Sequence, residues 1–198
     1  WATFWEPALA ELGLPYKEGL AEAARGTAGE TTRKVVRSFY GEDCDANAII
    51  DNLHKVADKA FEPPVPKKPG IDELLAWLEQ QHIPMAVASS SREFAIRHHL
   101  DNWNMTHYFQ AIVSGQHVTR SKPDPEIFLL AAEKLGVDPA HCLVLEDSYN
   151  GVRAGAAGGF VTVMVPDLMP PDDEMRRLCT TVCKSLYEVQ EKLKKNEL

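Results

Sequence analysis

Four short, almost wholly apolar runs, each set off from the next by a stretch of helical periodicity, constrain this chain more than any other feature. They are Pro84–Ala88, Ala111–Val113, Cys142–Leu145 and Phe160–Val165. A strand with one wet face alternates polar and apolar residues, whereas a strand covered by helices on both faces does not. Runs of this length between helices therefore predict a parallel sheet in an α/β core. The intervening segments carry helix signals. Ile71–Gln81 is amphipathic, Arg92–Leu100 and Tyr149–Ala157 keep helical spacing, and Pro125–Leu135 ends at Gly136, a residue suited to a helix stop. A last amphipathic stretch spans Leu186–Leu193.

The first sixty residues follow another regime. Apolar residues recur at helical spacing in Phe4, Ala8, Leu9 and Leu12, in Val35, Val36 and Phe39, and in Ile49, Ile50, Leu53 and Val56, with no strand signal among them. The segment Glu62-Pro-Pro-Val-Pro-Lys-Lys-Pro-Gly70 holds four prolines, which neither a helix nor a central strand accommodates. The expected division is a helical domain over 1–62, a stiff linker over 63–69 and the α/β core over 70–198. Hydrophobic residues make up 44% of the chain and charged residues 25%, enough to build an ordinary core. The formal charge of −8 argues against nucleic acid or an anionic membrane as main partner. Cys44, Cys142, Cys179 and Cys183 are too scattered for a disulfide framework. Cys179 and Cys183 have the spacing of neighbours on one helix face. No apolar stretch is long enough to span a bilayer and no signal peptide is visible. The chain therefore reads as cytoplasmic, and as a monomer.

The polar residues cluster where the strands are expected to end. Ser89-Ser90-Ser91 follows the first run, Ser121-Lys122-Pro123-Asp124-Pro125 follows the loop after the second, and Glu146-Asp147-Ser148 follows the third. Open parallel sheets bind ligands at the carboxyl ends of their strands. Serine hydroxyls and backbone N–H groups suit phosphoryl oxygens, and a lysine offsets their charge. Adjacent carboxylates suit a hard cation such as Mg²⁺. Each piece alone is equally a helix cap or a turn. Their joint occurrence at successive strand ends is what points to phosphate chemistry.

The stretch from Pro84 to Asp167 resembles the core of the haloacid dehalogenase (HAD) superfamily. Val87-Ala-Ser-Ser-Ser is similar to that family's second motif, Ser121-Lys-Pro-Asp-Pro to its third, and Leu143-Val-Leu-Glu-Asp-Ser-Tyr-Asn-Gly to its fourth. The resemblance implies a three-layer, parallel, Rossmann-like core with a small all-α cap. It implies that Ser89, Ser90 and Lys122 bind phosphate, with Ser89 and Lys122 in the catalytic set, and that Glu146 and Asp147 serve a Mg²⁺ ion. Cap residues facing the cleft, Arg25, Thr27 and Arg33, are the expected substrate contacts. The implied activity is a Mg²⁺-dependent phosphatase acting on a small phosphorylated metabolite through an aspartyl-phosphate.

The family's first motif, Asp-x-Asp-Gly-Thr on the first strand, has no counterpart here. Asp43-Cys-Asp45 has the acid spacing but lies in cap territory with no apolar run before it, so it reads as a loop. The nucleophile's strand is expected upstream of Trp1, between the runs ending at Ala88 and Leu145. Those two ends then either stand about two strand spacings apart, ~9–10 Å, or pair directly. Two alternatives stay open: a β-phosphoglucomutase-like phosphotransferase, although the mutases' substrate-binding Arg after the cap glycine is replaced by Gly26-Thr-Ala-Gly29, and a catalytically inactive phosphate-binding protein.

Overall fold

The computed structural model describes residues 2–27, 29–60 and 66–198, and no side chain is described at residue 60. Four helices open the chain: α1 (Trp5–Glu11), α2 (Leu20–Ala24), α3 (Gly29–Tyr40) and α4 (Ala46–Ala60). No strand occurs among the described residues before residue 66. Trp5, Leu9, Leu20, Val36, Ile49 and Leu53 close one apolar cluster between these helices. On α4 the buried positions Ala46, Ile49, Leu53 and Ala57 form one helical stripe, which leaves the opposite face free to look elsewhere. Asp43–Asp45 lies in a turn before α4, where the Asp45 carboxylate accepts the Ala48 N–H at 2.9 Å. Residues 63–65 of the proline-rich linker lie outside the described residues.

The remainder alternates. In order come α5 (Ile71–Gln80), β1 (Ala86–Ser89), α6 (Glu93–Asn102), β2 (Ala111–Ser114), α7 (Glu126–Leu135), β3 (Leu143–Glu146), α8 (Tyr149–Ala157), β4 (Val161–Met164), α9 (Asp173–Leu178), β5 (Thr181–Val182) and α10 (Leu186–Lys194). All strand pairs are parallel. Helix α2, helix α9 and strand β5 had no counterpart in the periodicity reading. Cys179 caps the end of α9 and Cys183 follows β5, so the two are not neighbours on one helix face. Both are buried as free thiols.

The strands fall into two sets, β1–β2 and β3–β4–β5, and β1 does not pair with β3. Helices bridge the two sets on both faces. On one face Ile127, Phe128 and Ala131 of α7 pack with Val113 of β2 and Val144 of β3 in one cluster, with Ala86 and Ala88 of β1 against it. On the other, α5 sends Leu74 into the cluster holding Val163, Leu186 and Val189, and Leu75 into the cluster holding Met85, Ile96 and Leu100. Burying such a side chain stabilises the fold by about 1.5–3 kcal/mol each. Two helices packed on both sets hold them together without strand pairing between them.

Candidate active site

The carboxyl ends of β1 and β3 face one cavity of about 890 Å³, roofed by the first four helices. Ala88, Leu145, Val165 and Leu186 supply apolar wall, and Ser89, Ser90, Lys122, Glu146 and Asp147 supply polar wall. Arg25, Thr27 and Arg33 also line it, from the cap side.

Lys122 crosses the gap between the two strand sets. Its ammonium donates to the Ala88 carbonyl at 3.3 Å and to the Glu146 carboxylate, and it sits 4.6 Å from the centre of the Phe128 ring. The lysine and glutamate side chains are 6% and 9% exposed, so this is a buried ion pair. Glu146 is saturated. Its second oxygen accepts the Ser148 hydroxyl at 3.0 Å and the N–H groups of Asp147 and Ser148 at 3.2 and 3.3 Å. Ser148 in turn caps α8, accepting the Gly151 N–H. Glu146 therefore fixes the lysine and the start of α8, and its oxygens are committed.

Asp147 differs from its neighbour. Its carboxylate makes no ion pair and no side-chain hydrogen bond with the described residues, and it opens onto the cavity on one side while protein encloses it on others. That enclosure, and then the Glu146 carboxylate beside it, hold its titration above the ordinary aspartate value, with Lys68 acting the opposite way. A carboxylate crowded by a like charge and left without a partner is a group that gains from a cation. No group of three or more His, Cys, Asp or Glu side chains placed to hold a metal ion occurs among the described residues. Asp147 offers oxygen donors, and oxygen ligands suit a hard cation that completes its shell with water and substrate oxygens, as Mg²⁺ does.

Gly151 is required by this arrangement. A Cβ there would overlap the Glu146 carboxyl group. Alanine in a helix ordinarily gains about 0.5–1 kcal/mol over glycine. Here Gly151→Ala is expected to reverse that sign and destabilise by on the order of 1–3 kcal/mol through overpacking. Thermal unfolding of the variant checks it, and equal or higher stability would show that Glu146 has room to move.

Loop anchors missed in the sequence reading hold the other parts. Glu126, first residue of α7, accepts the N–H groups of Thr119 and Arg120, both at 2.9 Å, which fixes the loop leading to Lys122. The Thr119 N–H is the leading cause of a fall in its titration from 4.5 to about 2. The anchor is therefore complete above pH 4.5 and is lost as pH falls towards 2. The Ser89 hydroxyl accepts the Ser91 N–H at 3.2 Å, turning the chain after β1. Arg92 precedes the first residue of α6 and pairs with Asp58 of α4. Ser90 donates to the Gly26 carbonyl at 3.2 Å, and Asn150 donates to the Arg25 carbonyl at 3.0 Å. Gly26 comes so near Ser148 and Asn150 that a Cβ on it would sit 3.3 and 3.4 Å from them, at a φ of +70°. These contacts hold the cap onto both strand-end loops. The Thr27 hydroxyl is committed to the Ala24 carbonyl and to Thr32, and Arg33 to Glu30 and Asn47.

The sequence profile of the haloacid dehalogenase-like hydrolases matches residues 5–165. The chain belongs to this family. It is 29% identical over 161 residues to the fructose-1-phosphate phosphatase YqaB of Escherichia coli, covering 81% of this chain and 85% of that protein. It is 29% identical over 147 residues to the phosphorylated carbohydrates phosphatase of Thermotoga maritima, covering 74% and 68%. A crystal structure of β-phosphoglucomutase from Clostridium difficile superimposes with a TM-score of 0.80, covering 98% of this chain and 90% of that one at 20% identity, a likeness of fold. This member of the haloacid dehalogenase-like hydrolases is thus a phosphatase-type hydrolase with an α/β core and a helical cap.

Proposed function

We propose that this hydrolase is a Mg²⁺-dependent phosphatase of small phosphorylated sugars or polyols, with its phosphate site at the ends of β1 and β3. The observation that carries the reading is the convergence of Lys122, Ser89 and Asp147, which has no ion-pair partner among the described residues, on one cavity beneath a cap. Lys122, held by Glu146 and Ala88, presents a fixed positive charge to the transferring phosphoryl group, stabilisation that costs no reorganisation during reaction. Ser89 binds phosphoryl oxygens through its hydroxyl, and Ser90 through its backbone N–H. Asp147 is the residue that would hold the cation, with Glu146 acting through the lysine. Bound Mg²⁺ would supply Lewis-acid stabilisation of phosphoryl charge.

Hydrolysis through a covalent phospho-enzyme needs a carboxylate nucleophile in line with the phosphorus. β1 and β3 are not paired with each other, and a further parallel strand is assigned between them, where helices α5 and α7 pack on both strand sets. The nucleophile is assigned to the carboxyl end of such a strand, beside Lys122. The cap's ties to the loops after β1 and β3 bring substrate-reading groups over the site.

The test is product analysis. The native full-length protein with Mg²⁺ and sugar 1-phosphates, followed by ³¹P NMR, is expected to yield inorganic phosphate. Accumulation of isomeric sugar phosphates without free phosphate would assign phosphoryl transfer instead, and no turnover on any substrate would assign a binding role.

A further inference from the structure

The face of α4 that does not enter the cap core carries Asn47, Asp51 and His54, spaced i, i+4 and i+7, and all three line the cavity with Ile50 between them. Residues at this spacing form one stripe along a helix. The stripe is prearranged at one end: Arg33 donates to the Asn47 side-chain carbonyl at 2.7 Å and is itself held by Glu30. That leaves the NH₂ group as the available donor of Asn47, a residue of the cavity lining. Asp51 is exposed and its carboxylate has no hydrogen-bond or ion-pair partner among the described residues. Burial, and then Arg92, keep His54 below the ordinary histidine range, so its imidazole is neutral near pH 7.

Most other charges on the cavity are committed. Arg33 is held by Glu30, Arg92 by Asp58, Lys68 by Asp167 and Lys122 by Glu146. Asp147 faces the phosphate end. Arg25 has no ion-pair partner among the described residues, but it stands at the border with a second cavity of about 220 Å³ beside Tyr149 and Arg153. The cap wall over the site thus offers a carboxylate and an amide on α4, with the Arg25 guanidinium at its border.

We propose that Asp51, with Asn47, is the specificity-determining pair of the cap, selecting monophosphates whose leaving group is a neutral carbon chain bearing adjacent hydroxyls. This rests on the phosphatase reading above. A carboxylate has two oxygens that accept from two hydroxyls at once, and hydrogen bonds to a charged acceptor are the stronger kind. The same charge repels a second phosphate or a carboxylate at that end of the substrate, so the group selects by attraction and by exclusion.

Asp51→Asn is the test, with kcat/KM measured on a sugar or polyol monophosphate, the corresponding bisphosphate and p-nitrophenyl phosphate, which has no hydroxyls. The ratio of monophosphate to p-nitrophenyl phosphate turnover is expected to fall about tenfold to a hundredfold, the scale of one or two charge-assisted hydrogen bonds. The ratio of bisphosphate to monophosphate turnover is expected to rise, and Asp51→Glu to restore much of the first ratio. Unchanged ratios, with both substrates hydrolysed, would overturn the assignment of Asp51 while leaving the phosphatase reading intact. A wild-type preference for the bisphosphate would overturn it too. Failure of wild type to release phosphate from any of the three would instead overturn the phosphatase reading.

Discussion

Replacing Lys122 by alanine is expected to lower phosphate release by on the order of 10²–10³, the scale for loss of one preorganised electrostatic group, and to destabilise the fold as well. The second effect follows from burial. The lysine side chain is 6% exposed and its partner Glu146 9%, so the variant leaves a carboxylate buried without its counter-charge. Breaking a buried pair from one side costs about 3–5 kcal/mol. In a domain of this size that is a fall in Tm of roughly 10 °C. The double variant Lys122→Met with Glu146→Gln separates the two effects. Removing both charges is expected to recover most of the stability and none of the activity. A double variant with wild-type turnover would show that the ammonium has no part in the chemistry.

Asp147→Asn is expected to give the opposite pattern. Phosphate release is expected to fall on the order of 10²–10³, and the Mg²⁺ concentration needed for half-maximal rate to rise. Stability is expected to hold or increase slightly. The wild-type carboxylate is disfavoured by its enclosure and by Glu146, and the amide relieves that repulsion at no cost in volume. A loss of stability comparable to that of the lysine variant would mean that Asp147 has a structural partner. Retained Mg²⁺ dependence at wild-type rate would remove it from the metal site.

The contrast between these two acids marks the limit of what the sequence carries. Strand positions were legible because Cys142–Leu145 and Phe160–Val165 are apolar on both faces, a pattern that only a covered strand needs. The polar residues at the strand ends were legible for the same reason. That Glu146 is spent on Lys122, on the Ser148 hydroxyl and on two backbone N–H groups, while Asp147 stays open, was not legible, because adjacent carboxylates read alike until the chain direction after β3 is known. Asp58 and Glu126 carried no local signal, since each acts on a residue brought near by tertiary packing. Helix α9 did carry one: Asp172, Asp173 and Glu174 put an N-cap and an acidic first turn after Pro170-Pro171, a recognisable helix start. Strand β5 has two residues and pairs only with β4, too little for any periodicity to register. β1 and β3 do not pair, which excludes the direct pairing of the runs ending at Ala88 and Leu145.

The central claim is that a cation held at Asp147 and the fixed ammonium of Lys122 together drive phosphomonoester hydrolysis. Titration of Mg²⁺ into the metal-stripped, full-length protein, with phosphate release from a sugar monophosphate as the signal, tests it most directly. Release is expected to be absent without metal, to rise saturably with Mg²⁺, and to need far more of it in Asp147→Asn. Metal-independent release, or identical titration curves for wild type and variant, would contradict the account.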